Sequence, residues 1–165
     1  METQNRLLMA LSRDGLEHLA PHLHPVRVRS GTVLYEPEAK LDWVYFPEKG
    51  LVSIISVMLS GSTAEAAVVG REGAVGFVEA AGSGVFLMRA LVQADLQALR
   101  VSATHYRQAL DASPGLRRAV ADHAELNMAE TRQTLACIAH HTATAGSPGG
   151  CWNARTAPTA DRAFP

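Results

Sequence analysis

Cysteine is scarce in this chain, with two among 165 residues, Cys137 and Cys151. One falls in a helical pattern and the other among turn-forming residues, so no disulfide framework is expected. Aromatic residues make up 5% and the formal net charge is -1. A charge that small gives no whole-protein field to gather nucleic acid or acidic lipid. Long apolar runs are missing: Leu51–Leu59 lies between Gly50 and Ser60-Gly61, well short of a membrane span. The first residues lack the basic-then-apolar order of a secretory leader. The expectation is a cytoplasmic protein with no membrane partner. Metal-ligand spacing is missing as well. His18 and His22 stand four apart, but Pro21 interrupts the helix that would align them, and no third ligand is fixed nearby. No cofactor is expected. No nucleophile elbow or paired-acid motif gathers Ser, His and Asp, and His105 and His123 read as surface or packing residues. The chain is therefore not expected to be an enzyme.

What is present is regular. Apolar residues make up 47%, ordinary for one globular domain with a helix or tail appended. Short apolar runs end in Gly, Pro or Ser: Thr32–Glu36, Leu41–Phe46, Leu51–Leu59 and Thr63–Val69, then Val85–Gln93 and Leu96–Val101. Strands so spaced predict a β-sandwich or barrel. Val26-Arg27-Val28-Arg29 alternates as a half-buried strand does. Glu36-Pro37-Glu38-Ala39 and Pro47-Glu48-Lys49-Gly50 read as turns, and Ser60-Gly61-Ser62 as a hairpin. Trp43, Tyr45 and Phe46 suit stacking on a ligand ring or a place in the core, and the core is favoured. Between the two groups of runs lies Gly70-Arg71-Glu72-Gly73-Ala74-Val75-Gly76. Its glycines allow a tight bend and a close backbone approach, so it is either a corner or the wall of a small-molecule pocket. Glycine spacing alone favours the corner.

Helices flank these runs. Asn5 caps one to Leu11, Ser12 caps a second to Ala20, and Ser102 caps Ala103–Leu110. Val75–Ala81 suits a single helical turn. Ser113-Pro114 opens a long helix to about His141. Along it Ala121, Ala124, Met128, Thr131, Leu135 and Ile138 follow steps of three and four, a coiled-coil seam. Leu116, Ala119, Val120 and His123 form a second face for the barrel. Two such faces predict a homodimer; the alternative is a helix covered on both sides by its own chain.

Four phrases carry a family resemblance: Gly31-Thr32-Val33-Leu34-Tyr35-Glu36-Pro37, Val44-Tyr45-Phe46-Pro47, Gly50-Leu51-Val52-Ser53 and Val69-Gly70-Arg71-Glu72-Gly73-Ala74-Val75-Gly76. In that order, from about Asn5 to His141, the chain resembles the Crp/Fnr family of bacterial transcription regulators, in its Gly-Arg-Glu-Gly subgroup. The resemblance implies a mainly β fold with flanking helices. A cyclic-nucleotide-binding-like double-stranded β-helix, or jelly roll, would span 1–112 and a dimerisation helix 113–143. It implies an effector site drawn from Gly70, Gly73, Val75, Gly76, Phe77, Arg89 and Ala90. Family members that bind nucleotide use a Gly-Glu pair for the ribose and an arginine before Ser/Thr-Ala for the phosphate. Here those places read Gly76-Phe77 and Met88-Arg89-Ala90, with the arginine one residue late. A one-residue shift in a strand turns a side chain to the other face. Cyclic AMP is therefore expected to bind poorly or not at all, and the small-molecule effector is unknown. The cysteine cluster of an iron–sulfur centre is missing, and no haem ligand pair stands out. Expected partners are a second copy, or an intact family member in a heterodimer; a stand-alone ligand-binding module is the alternative.

Past Thr144 the composition changes to Ala, Gly, Ser, Pro, Thr and Arg without period. Residues 144–165 read as a disordered tail, in place of the winged helix-turn-helix the resemblance implies, and no direct DNA binding is expected. The genetic code suggests an origin. In the frame made of each codon's last base and the next two, Cys151-Trp152 must read Leu and Trp152-Asn153 must read Glu. The neighbouring junctions permit an amphipathic helix, as a frameshift near Thr144 would produce. The gene's nucleotide sequence tests this: an early stop in that frame ends the idea.

Overall fold

The computed structural model describes residues 3–140, with side chains through 133. The expected tail lies outside the described residues. The chain divides into two units, one through His123 and one from Ala124 onward.

Local chemistry starts the helices where expected. Helix α1 (Arg6–Ala10) is capped by Asn5, whose side chain accepts from the Leu8 amide, and α2 (Arg13–Leu19) by Ser12, which accepts from Gly15. A 3₁₀ turn at Ala20–His22 begins beside Pro21 and ends the helical stretch. Among the described residues seven strands follow: β1 (His24–Val28), β2 (Val33–Tyr35), β3 (Ala39–Lys40), β4 (Trp43–Val57), β5 (Thr63–Val69), β6 (Val85–Phe86) and β7 (Arg89–Ser102). A short helix, α3 (Phe77–Ala81), separates β5 from β6, and α4 (Ala103–Ala112) and α5 (Pro114–His140) follow β7. The main sheet runs β1-β7-β4-β5, with β2 also on β7, while β3 and β6 form a separate pair. Every pairing is antiparallel. Among the described residues no helix is long and apolar enough to cross a membrane.

Two expected breaks are continuous strand. Pro47-Glu48-Lys49-Gly50 is not a turn: β4 runs through it for 15 residues, with register shifts against β7 between Pro47 and Val52. Gly50 has φ +87°, and a Cβ there would stand 2.3 Å from the Asp95 carbonyl oxygen. The partner backbone passes directly over the glycine, so the chain bulges within the ladder instead of reversing. The same irregularity carries β7 unbroken through Ala94-Asp95 for 14 residues, where separate strands Val85–Gln93 and Leu96–Val101 were expected. The turn expected over Glu36–Ala39 ends in β3, whose Ala39 and Lys40 pair with Phe86 and Val85. Leu51–Leu59 is not buried throughout either. Leu51, Met58 and Leu59 are exposed, the last two beside the β4–β5 hairpin turn.

The core joins the sheet to α1, α3, α4 and the start of α5 through Leu8, Phe46, Phe77, Leu96, Tyr106 and Leu116, all buried. Ala119 and Val120 pack against it, as expected for that face of the long helix. A clasp holds α2 to the base of α5. Asp14 accepts from the Ser113 hydroxyl and from Gly115 N–H at 3.4 Å, while Ser113 Oγ accepts from Leu116 N–H at 3.0 Å. The Ser113 hydrogen bond holds the Asp14 carboxyl below the usual range despite some opposing desolvation. A depressed carboxyl contributes stability that is full above its unfolded value and lost as pH falls through the folded one. Asp14→Asn is expected to be less stable than wild type at neutral pH. The gap should close below about pH 4, read by denaturant unfolding across the acid limb.

Candidate functional site

The glycine-rich segment forms a stitched corner. Gly73 N–H donates to Gly70 O at 3.2 Å, and the Glu72 carboxylate turns back to accept from Gly70 N–H at 2.7 Å. Val75 and Tyr45 exchange backbone hydrogen bonds of 3.0 and 2.8 Å, fastening the corner to β4. Helix α1 fastens its other side. Arg6 N–H donates to Arg71 O at 2.7 Å, and the Asn5 amide donates to Gly73 O at 2.9 Å and Pro47 O at 2.8 Å. Gly76 leaves the corner with φ +83° as the N-cap of α3, and a Cβ there would stand 3.0 Å from Leu41 Cδ2. A left-handed residue in so tight a place requires glycine.

Phe77, the first residue of α3, points into the core with 1% of its surface exposed. Its ring meets Phe46 at 5.9 Å, Tyr106 at 5.6 Å and His123 of α5 at 5.5 Å between centroids. Tyr106 donates its hydroxyl to Phe77 O at 2.8 Å, and burial raises that phenol's pKa. Burial likewise raises the Glu79 carboxyl on the same helix. On the strand side, Ala90 is buried opposite Tyr35 and Ile54. Arg89 beside it is half-exposed and pairs with Glu36 at 2.8 Å.

Comparison with known proteins places this architecture. No protein-family model and no curated protein matches the sequence. Solved structures do. The c-di-GMP responsive global regulator CLP of Xanthomonas campestris matches at TM-score 0.66 and 17% identity, over 79% of this chain and 66% of its own. The N-terminal domain of a transcriptional regulator from Streptomyces coelicolor matches at 0.59 and 18%, over 87% and 97%. The regulatory subunit of a cAMP-independent protein kinase A from Trypanosoma brucei matches at 0.63 and 15%, over 79% and 47%. The fold is that of a cyclic-nucleotide-binding-like domain. The chain spans 66% of CLP's length and nearly all of the Streptomyces domain.

Within this cyclic-nucleotide-binding-like domain the expected site residues divide. Gly70, Gly73, Val75 and Gly76 make the corner, Phe77 and Ala90 belong to the core, and Arg89 alone among them carries charge. Side chains of Val75, Phe77 and Ala90 have at most 1% of their surface exposed, so any contact they offer a ligand runs through their backbone or through rearrangement. Sequence reasoning missed Glu36 as the partner of Arg89. It saw Asn5 as a cap and not as the donor that ties α1 to the corner. Both partnerships span dozens of residues, 53 for the ion pair and 68 for Asn5 and Gly73, and no local pattern announces them.

Proposed function

We propose that the chain is the effector-sensing and dimerisation part of a Crp/Fnr-type bacterial transcription regulator acting in the cytoplasm. The observation that carries this reading is the edge-to-face contact of Phe77 with His123. It joins the end of the glycine corner to the long helix, so a ligand that moves the corner also acts on α5. The effector site comprises Gly70, Gly73, Val75, Gly76, Phe77, Arg89 and Ala90. The fold's presence in transcription regulators supports the assignment, as do the ordered sequence phrases. Its presence in a kinase regulatory subunit keeps the stand-alone ligand-binding module as the second reading. A gel shift with an intact family member separates the two. A heterodimer that removes the intact protein from DNA supports the regulator, and no effect supports the module.

The effector is not cyclic AMP. Phe77 cannot accept a hydroxyl proton from ribose, and Arg89 is already neutralised by Glu36. A cyclic phosphate taken into the fold without a partner carries a penalty of several kcal/mol. Titration calorimetry with cyclic AMP is expected to show a Kd weaker than about 1 mM. Micromolar binding would refute this part of the reading.

The proposed dimer seam is Ala121, Ala124, Met128, Thr131, Leu135 and Ile138. The side chains of Leu135 and Ile138 lie outside the described residues. Ala121 and Thr131 are exposed, Met128 is 51% exposed and Ala124 is half-buried, so this part of the seam is open to a partner. Met128→Glu places like charges across a twofold seam. Light scattering should then read the monomer mass, with subunit stability within about 0.5 kcal/mol of wild type. A variant that stays dimeric removes the seam.

A further inference from the structure

A cleft of about 300 Å³ opens among α3, α4 and α5, lined by Ala81, Arg107, Leu110, Asp111, Arg117 and Val120. It shares no residue with the glycine corner. We infer that this cleft is a binding site for a small carboxylate monoanion with a compact apolar body.

The two arginines are held in place by backbone. Arg107 Nε donates to Ala80 O at 3.3 Å, and its Nη2 comes so close to Gly84 that a Cβ there would stand 2.9 Å away. Arg117 Nη1 donates to Leu110 O and to Asp111 O, the latter at 3.0 Å, in the last turn of α4. Each guanidinium keeps N–H groups beyond those bonds, and among the described residues neither forms an ion pair. Guanidinium forks fixed before a ligand arrives match a carboxylate, and such charge-assisted hydrogen bonds are the strong ones. Buried Leu110 and half-buried Val120 supply an apolar wall, with exposed Ala81 beside them. Asp111, exposed like both arginines, leaves the lining residues one net positive charge, and Asp14 outside the lining acts on Arg117 through space. One negative charge on the ligand is matched; a second would meet Asp111. The volume sits at the low end for small-molecule sites, so the body is about the size of one ring. A ligand here would tie the end of α3 to the first turns of α5, a second way to act on the long helix.

The test is calorimetric titration of the full chain with benzoate at constant ionic strength, with benzyl alcohol as the neutral isostere. Saturable one-site binding of benzoate is expected, with benzyl alcohol weaker by about tenfold or more. Arg107→Gln should weaken benzoate by about tenfold or more, the loss of one charged hydrogen-bonding group. Asp111→Asn should tighten it several-fold, a gain that a misfolded variant cannot produce. No saturable benzoate binding, equal binding of benzyl alcohol, or affinity unmoved by both variants would overturn the assignment.

Discussion

Phe77→Ala is expected to lower the unfolding free energy by about 4 kcal/mol, the middle of the range for emptying an aromatic site in a packed core. The residue earns that figure by position. Its ring contacts one aromatic on β4, one on α4 and a histidine on α5. Truncation therefore opens the meeting point of three elements, and no single neighbour can collapse into the space. For a chain of this length the melting temperature should fall by roughly 8–16 °C. Phe77→Glu is the sharper variant, because it places here the residue type that the Crp/Fnr resemblance sets beside this glycine in nucleotide-binding members. It is not expected to restore binding. The position is 1% exposed, so an ionised carboxylate there is desolvated without a partner, and Arg89 still rests on Glu36. Phe77→Glu should be less stable than Phe77→Ala at neutral pH, with no gain of cyclic AMP affinity. A folded Phe77→Glu protein that binds cyclic AMP would show that Phe77 only blocks a site otherwise complete. Denaturant unfolding and calorimetry on the two variants decide it.

Much of this fold was legible residue by residue, because its helix starts are local chemistry. Asn5, Ser12 and Ser102 each accept an amide three residues on, and Ser113 does the same for Leu116. The long helix with Leu116, Ala119 and Val120 on its inner face followed from spacing alone. What failed was the distinction between a turn and a bulge. Gly50 with positive φ and Pro47 before it look like a reversal to anyone reading a few residues at a time. The long β7 strand, paired on both sides of that point, decides the matter, and its register is a property of the whole sheet. The two-residue strands β3 and β6 carry too few side chains to show a period. In the candidate site, Arg89 was readable as the charged residue among the expected ligand contacts. Its salt bridge to Glu36 was not, because it depends on β2 and β7 lying side by side.

Asn5→Ala should cost about 3 kcal/mol, far more than a helix cap alone contributes. Asn5 is fully buried and makes three side-chain hydrogen bonds. Its Oδ1 accepts from Leu8 N–H at 2.9 Å, and its amide donates to Pro47 O and Gly73 O. Alanine leaves one donor and two acceptors without partners, and each such loss in a buried place costs about 1–3 kcal/mol before water relaxes it. Asn5→Asp separates the two roles. Aspartate is as good a cap as asparagine, so if capping were the main role this variant would be nearly neutral. Here it keeps the bond to Leu8 but turns a carboxylate oxygen toward the Pro47 and Gly73 carbonyls. Electrostatics then predict that Asn5→Asp is at least as damaging as Asn5→Ala near neutral pH, with part of the loss recovered in acid when the carboxyl takes a proton and can donate again. Amide exchange at Val75 and Tyr45, which share the corner's two backbone bonds, should quicken in both variants. Equal stabilities of Asn5→Asp and wild type would mean that α1 is capped but not pinned, and that the corner holds its shape without it.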